Sequence, residues 1–278
     1  MRLAATLAST VAAAASVALA WETSRQAAGQ AYDLVNDAGI FGVATLSTRY
    51  ADDVGDAFLR GQTISGPEYY APCFANGDLL FLGLKVSQTW RNVLTSPSKN
   101  ATVAIASNTD PAVPDRRHSS HDDPSHPQWD PKRPSWRRGM PSKGRATFFG
   151  HFELLDETST APGTDRDDLS RCFLSHHRDA SHWAPGAKES PHVPFWARFV
   201  VGRIYWVGGF GDEHFIGWLS RDLWTETWRA RSQHANGVEG YLQPSDAVEA
   251  PLDEINPALN PLSLFAEHEA AGLGLFFQ

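Results

Sequence analysis

Cysteine and methionine are scarce, two of each in 278 residues. Two cysteines, Cys73 and Cys172, exclude a disulfide-framework fold, so a hydrophobic core has to hold the chain. In an oxidising compartment the two can pair; otherwise they pack as small apolar side chains. Excess positive charge is missing too. The net charge is -8, which excludes nucleic acid as the main partner, because phosphate binding calls for a dominant basic surface. Beyond residue 20 no apolar run reaches the ~20 residues that a membrane-spanning helix needs. There is no G-x-S-x-G and no G-x-G-x-x-G, so neither a hydrolase elbow nor a dinucleotide loop is supported.

What is present starts at the first residues. Arg2 gives a positive start, residues 3–17 are apolar or small, and Ala18-Leu19-Ala20 is a small-x-small site. This predicts a signal peptide over residues 1–20, with a retained anchor as the alternative reading. Export, outside the cell or to an endolysosomal or vacuolar compartment, follows from the first. About 258 residues then remain, with ten Trp, enough to bury a sizeable core. In an exported chain the sequon Asn100-Ala101-Thr102 is an N-glycosylation acceptor.

Periodicity sets the elements. Residues 22–37 read as a helix, with Ala27, Ala28, Ala31, Leu34 and Val35 at helical spacing and Gly39 as the stop. Residues 40–47 (IFGVATLS) and, more weakly, 68–74 read as strands around a polar loop, 48–65. Asn76-Gly77-Asp78 turns into LLFLGL at 79–84, a strong strand. Ser87 can cap a short helix carrying Trp90, Val93 and Leu94, and residues 101–106 form another strand. Residues 108–145 hold seven Pro and many charges but almost no aliphatics, which predicts an inserted loop. Lys132, Arg133, Arg137, Arg138, Lys143 and Arg145 make its end basic, as a solvated stretch expects. Residues 146–155 and 195–207 are strands, 165–176 a helix, and 214–219 pairs back after Gly208-Gly209-Phe210-Gly211. Residues 231–278 form a C-terminal extension, with a helix expected at 261–271. The sum is about six short strands with two or three helices: an α+β, mainly β fold, a small antiparallel barrel with flanking helices.

Two blocks carry a resemblance. "GIFGVATLST … DLLFLGLKVSQTWRNVLTSPSKNATVAIA" resembles the core of the FMN-binding split-barrel proteins related to pyridoxamine 5'-phosphate oxidase. "CFLSHHRDASHW … SPHVPFWARFVVGRIYWVGGFGD" resembles the CREG family within that group. The likeness runs over roughly residues 24–225. It implies a six-stranded antiparallel Greek-key split β-barrel over residues 21–230, and a homodimer. In flavin-binding members it also implies FMN at the dimer interface, its phosphate on the strand–helix junction.

On this chain that junction offers Lys85, Ser87, Thr89 and Arg91, hydroxyls and cations at a helix start, suited to a phosphate. Trp90, Trp206 and Phe210 are candidates to face the flavin ring, with plain core packing as the other reading. The chain is then an FMN-dependent oxidoreductase acting on a small molecule, or a non-catalytic CREG-like glycoprotein that has lost the flavin. Histidines cluster at His176, His177, His182 and His192, and at His118, His121 and His126. The second set has HxxH spacing, but no flanking element orients it as a metal site. His214 is a candidate haem ligand, since related split barrels bind haem, or a hydrogen-bonded strand-end residue.

Overall fold

The computed structural model describes residues 22–36, 42–108, 140–155, 165–188, 190–211 and 214–237. Residues 1–20, most of the 108–145 insert, His118, His121 and His126, and the chain after 237 lie outside the described residues. The chain to Gln233 is one compact unit, and residues from His234 on are counted as another.

The elements are α1 (Ser24–Asn36), β1 (Val43–Arg49), β2 (Thr63–Ala71), β3 (Leu79–Leu84), α2 (Gln88–Thr95), β4 (Asn100–Ala106), β5 (Arg145–Leu155), α3 (Arg166–His176), β6 (Pro194–Val207), β7 (Ile216–Ser220) and α4 (Arg221–Gly237). All pairings are antiparallel, in the order β3-β2-β1-β4-β5-β6-β7. β3 also pairs with β6, Leu79 opposite Phe199 through Leu84 opposite Pro194, and this closes a six-stranded barrel. The split lies along β6. Its first half bonds β3 and its second half bonds β7, Arg203 opposite Ser220 through Val207 opposite Ile216. The fold is therefore mainly β with four flanking helices.

The sequence explains the two cores. β1 and β4 alternate buried and half-exposed residues, as strands with one wet face do. LLFLGL does not alternate, because β3 is covered on both faces. Leu79 and Phe81 enter the barrel interior with Phe152, Phe199, Trp90 and Trp206. Leu80 and Leu82 meet Leu169, Phe173 and Trp196 in a second core under α3. A disulfide joins Cys73 to Cys172, with Cα atoms 6.0 Å apart, and so ties α3 to the β2–β3 connection. Asp165 caps α3, accepting from the Asp167 and Asp168 N–H groups.

Three expectations are corrected. β2 begins at Thr63, inside the stretch read as loop, because Ile64 and Gly66 fill ladder positions opposite β1 despite their polar neighbours. Residues 221–237 form a helix where none was expected: Trp224 and Trp228, four apart, pack over the barrel beside Tyr32 of α1. The basic end of the insert is not all solvated, since Lys143 is buried and Arg145 donates to the Met140 and Lys143 carbonyls.

Candidate functional site

The corner after β3 has to be built from three segments. Leu84 ends the strand, the chain turns through residues 85–87, and α2 starts at Gln88 with Ser87 at its N-cap position. Ser87 does not cap through its side chain. Its hydroxyl turns instead toward β2, where Glu68 stands. Ser87 Oγ lies 3.2 Å and Thr89 Oγ1 2.8 Å from Glu68 Oε1, and the two hydroxyls are 2.6 Å apart. A carboxylate of the chain itself thus takes the hydroxyl donors at the helix start, the position where an anion is best held. Burial pushes the Glu68 carboxyl above its usual range, while the hydrogen bonds from this corner pull the other way.

The remaining predicted anchors lie apart from this group. Lys85 and Arg91 are exposed, and among the described residues neither pairs with Glu68. Trp90 is fully buried between Phe81, Phe152 and Phe195, with its ring in the barrel core rather than facing a cleft. Trp206 is fully buried too. A phosphate dianion does not fit this corner as folded: it would compete with Glu68 for the same two hydroxyls and stand against a carboxylate. Sequence reasoning found Ser87 and Thr89 but missed Glu68. The one local signal was an acidic residue inside a strand otherwise flanked by Pro67, Tyr69 and Tyr70.

Two of the described histidines, His177 and His214, are buried and held by their neighbours. His177 is buried, donates from Nε2 to the Tyr70 carbonyl at 2.7 Å and stacks on Tyr69 at 4.6 Å. Burial holds its pKa below the ordinary value, against the Tyr70 carbonyl, which favours the charged form. The Tyr69 hydroxyl donates to Asp179 at 2.8 Å, which raises its own pKa. His177 also fills the space over Gly42, where a Cβ would lie 2.4 Å from the imidazole and φ is +67°, so only glycine serves there. His214 is buried 3.6 Å from the Glu22 carboxylate, enclosed rather than presented to a ligand. Among the described residues no group of three or more His, Cys, Asp or Glu is placed to hold a metal.

The other exposed feature is the outer face of the sheet. Val43, Thr45, Ala104, Thr147, Tyr205 and Val207 line a depression of about 550 Å³. Ser47, Asn100, Thr102, Phe149, His151 and Arg203 line a second of about 530 Å³. Phe149 and Trp218 are 38% and 45% exposed, so this face carries uncovered aromatic surface. Phe149 and Tyr205 pack on Trp218 at 5.3 and 5.1 Å, and the Arg203 guanidinium lies 4.3 Å over the same ring. Neither lining contains an Asp or Glu.

Comparison with known proteins gives one family match, to the CREG β-barrel over residues 22–226. No curated protein matches the sequence. Among solved structures, a heme binding protein from Mycobacterium smegmatis is similar at 16% identity, over 80% of this chain and 71% of that one, with a TM-score of 0.45. HutZ, the heme storage protein from Vibrio cholerae, is similar at 12% identity, over 66% and 97%, with a TM-score of 0.39. An FAD-binding protein from Mesorhizobium loti is similar at 16% identity, over 63% and 91%, with a TM-score of 0.36.

Proposed function

The chain belongs to the CREG β-barrel family, and from that premise we propose that it is an exported, non-catalytic binding glycoprotein rather than an FMN-dependent oxidoreductase. The observation that carries this is Glu68. Its carboxylate holds the Ser87 and Thr89 hydroxyls at 3.2 and 2.8 Å, and an FMN phosphate needs those donors. The exposed Lys85 and Arg91 supply no enclosed cationic seat in its place.

Export rests on the apolar, small-x-small start of the chain, which targets it outside the cell or to an endolysosomal or vacuolar compartment. The Cys73–Cys172 bridge supports that, since such bonds persist in oxidising compartments. Among the described residues no helix is long and apolar enough to cross a membrane. N-glycosylation at Asn100 belongs to the same reading, and so does a homodimer.

Titration of FMN with the purified, secreted protein tests the proposal, read as quenching of flavin fluorescence. The expected result is a colourless protein that does not quench FMN saturably. A yellow protein that releases one FMN per chain on denaturation would return the chain to the flavoenzymes, with a small molecule as its substrate.

A further inference from the structure

The two glycines after β6 make room for a buried pair. A Cβ on Gly208 would stand 2.9 Å from the His214 Cβ and 3.0 Å from Glu22 Oε2. One on Gly209, where φ is +149°, would stand 2.6 Å from the His214 ring. Into that space come Glu22, just ahead of the reciprocal Thr23–Gln26 cap of α1, and His214, just ahead of β7. Both are buried. Glu22 Oε2 accepts the Phe215 N–H at 2.7 Å and lies 3.6 Å from His214 Nδ1. The pairing is incomplete, for neither Glu22 Oε1 nor His214 Nδ1 has a hydrogen-bond partner among the described residues. Buried polar atoms are rarely left so, because they have given up water for nothing. One proton on His214 supplies what is missing, a charged donor facing a buried carboxylate.

We propose that Glu22 and His214 form a clasp that a proton closes: on acidification the start of α1 is fastened to the turn before β7. Histidine is the side chain that ordinarily changes charge between about pH 8 and pH 5. A neutral ring leaves the carboxylate with the Phe215 N–H alone among the described residues; a protonated one gives it a charged partner on another element. A histidine that meets an anion in the fold contributes stability in acid and loses it as pH rises. His177, with its lowered pKa, works the other way. Acid therefore tightens the Glu22 contact while it loosens the packing around Tyr69 and Tyr70. The other charged groups come from two places. The Ser142 carbonyl lies 3.0 Å from the Cβ position on Gly209, so residues 140–144 pack on the same turn. Lys143 there is buried and has partners of its own, and Arg145 donates to the Met140 and Lys143 carbonyls. Asp212 and Glu213, in the turn itself, lie outside the described residues. The clasp is independent of whether the corner after β3 admits a flavin.

NMR of the full chain from about pH 8 to pH 5 tests this, read at the His214 ring and the Phe215 amide, with hydrogen exchange across α1 alongside. The expected result is that ring and amide titrate together. Exchange protection of Phe215 and of the first turn of α1 should rise by about tenfold in acid, as a hydrogen bond between charged groups gives. Glu22→Gln keeps an acceptor for the Phe215 N–H but no charge, and should abolish the rise. His214→Gln should abolish it too, and should steepen the loss of melting temperature that His177 brings in acid. His177→Gln and Lys143→Met should leave the rise in place. Protection that stays level across the range overturns the proposal. So does a rise that survives Glu22→Gln, or one that disappears in a folded Lys143→Met chain. Should either variant at the clasp fail to fold, the unaltered chain decides alone: a Phe215 amide that ignores the His214 titration sinks the idea.

Discussion

Asp78 shows how one side chain can hold several elements. It is fully buried and accepts from Arg198 at 2.6 and 2.9 Å, from Arg221 at 2.7 Å, and from the Val201 N–H at 3.1 Å. Asp78→Ala takes this acceptor from Arg221 and leaves Arg198 with the looser 3.6 Å pair to Glu153, and should cost about 3–5 kcal/mol in urea unfolding. His177 and Glu68 each make stability depend on pH, with opposite signs. His177 has a lowered pKa in the fold. Its contribution is therefore complete above its unfolded value, near 6.5, and is lost as pH falls from there toward the folded value. Glu68 has a raised one, so its contribution is complete below the unfolded value and is lost as pH rises through the folded one. His177→Gln should flatten the fall in melting temperature between about pH 7 and pH 5, whereas Glu68→Gln should raise the melting temperature at pH 7 and leave that fall in place. Neither partnership was readable from the chain. Glu68 meets residues 19 and 21 positions away, and His177 reaches Tyr70 across 107; periodicity carries no information at such separations.

Elements were more legible than partners, and the reason is where each buries its apolar residues. β3 is apolar throughout because both faces are covered, and its limits coincide with the run that marks it. β6 and β5 were equally plain, being β-branched and aromatic over long stretches. β2 hid its start behind Ser65-Gly66-Pro67, residues that read as a turn but sit at a ladder's edge. α4 hid because Arg, Asp, Thr and Glu surround its two buried tryptophans. Trp224 also donates to the Gly77 carbonyl at 2.9 Å, in the turn before β3. The clamp on α3 is covalent, and its removal is measurable. Replacing both Cys73 and Cys172 with Ser reopens a loop of 99 residues, and should lower stability by about 2–5 kcal/mol. The loss should appear first as proteolysis near α3, because that helix otherwise rests on the second core through Leu169 and Phe173.

At the scale of the molecule, the barrel has one interior and two kinds of exterior. One side of the sheet is covered by α3 and the second core. The other side carries Phe149, Tyr205 and Trp218, which are partly exposed among the described residues. β6 runs past both. A single strand of 14 residues forms the seam with β3 at one end and supports β7, with Trp218, at the other. Between those ends β6 carries a bulge at Gly202, where Phe149 faces Arg203 and Gly150 already faces Val201, and the bend there separates the two halves. A disturbance at Trp218 should therefore stop at the bulge: amide hydrogen exchange across residues 203–207 should quicken when Trp218 is replaced by Ala, while exchange across residues 79–84 stays unchanged.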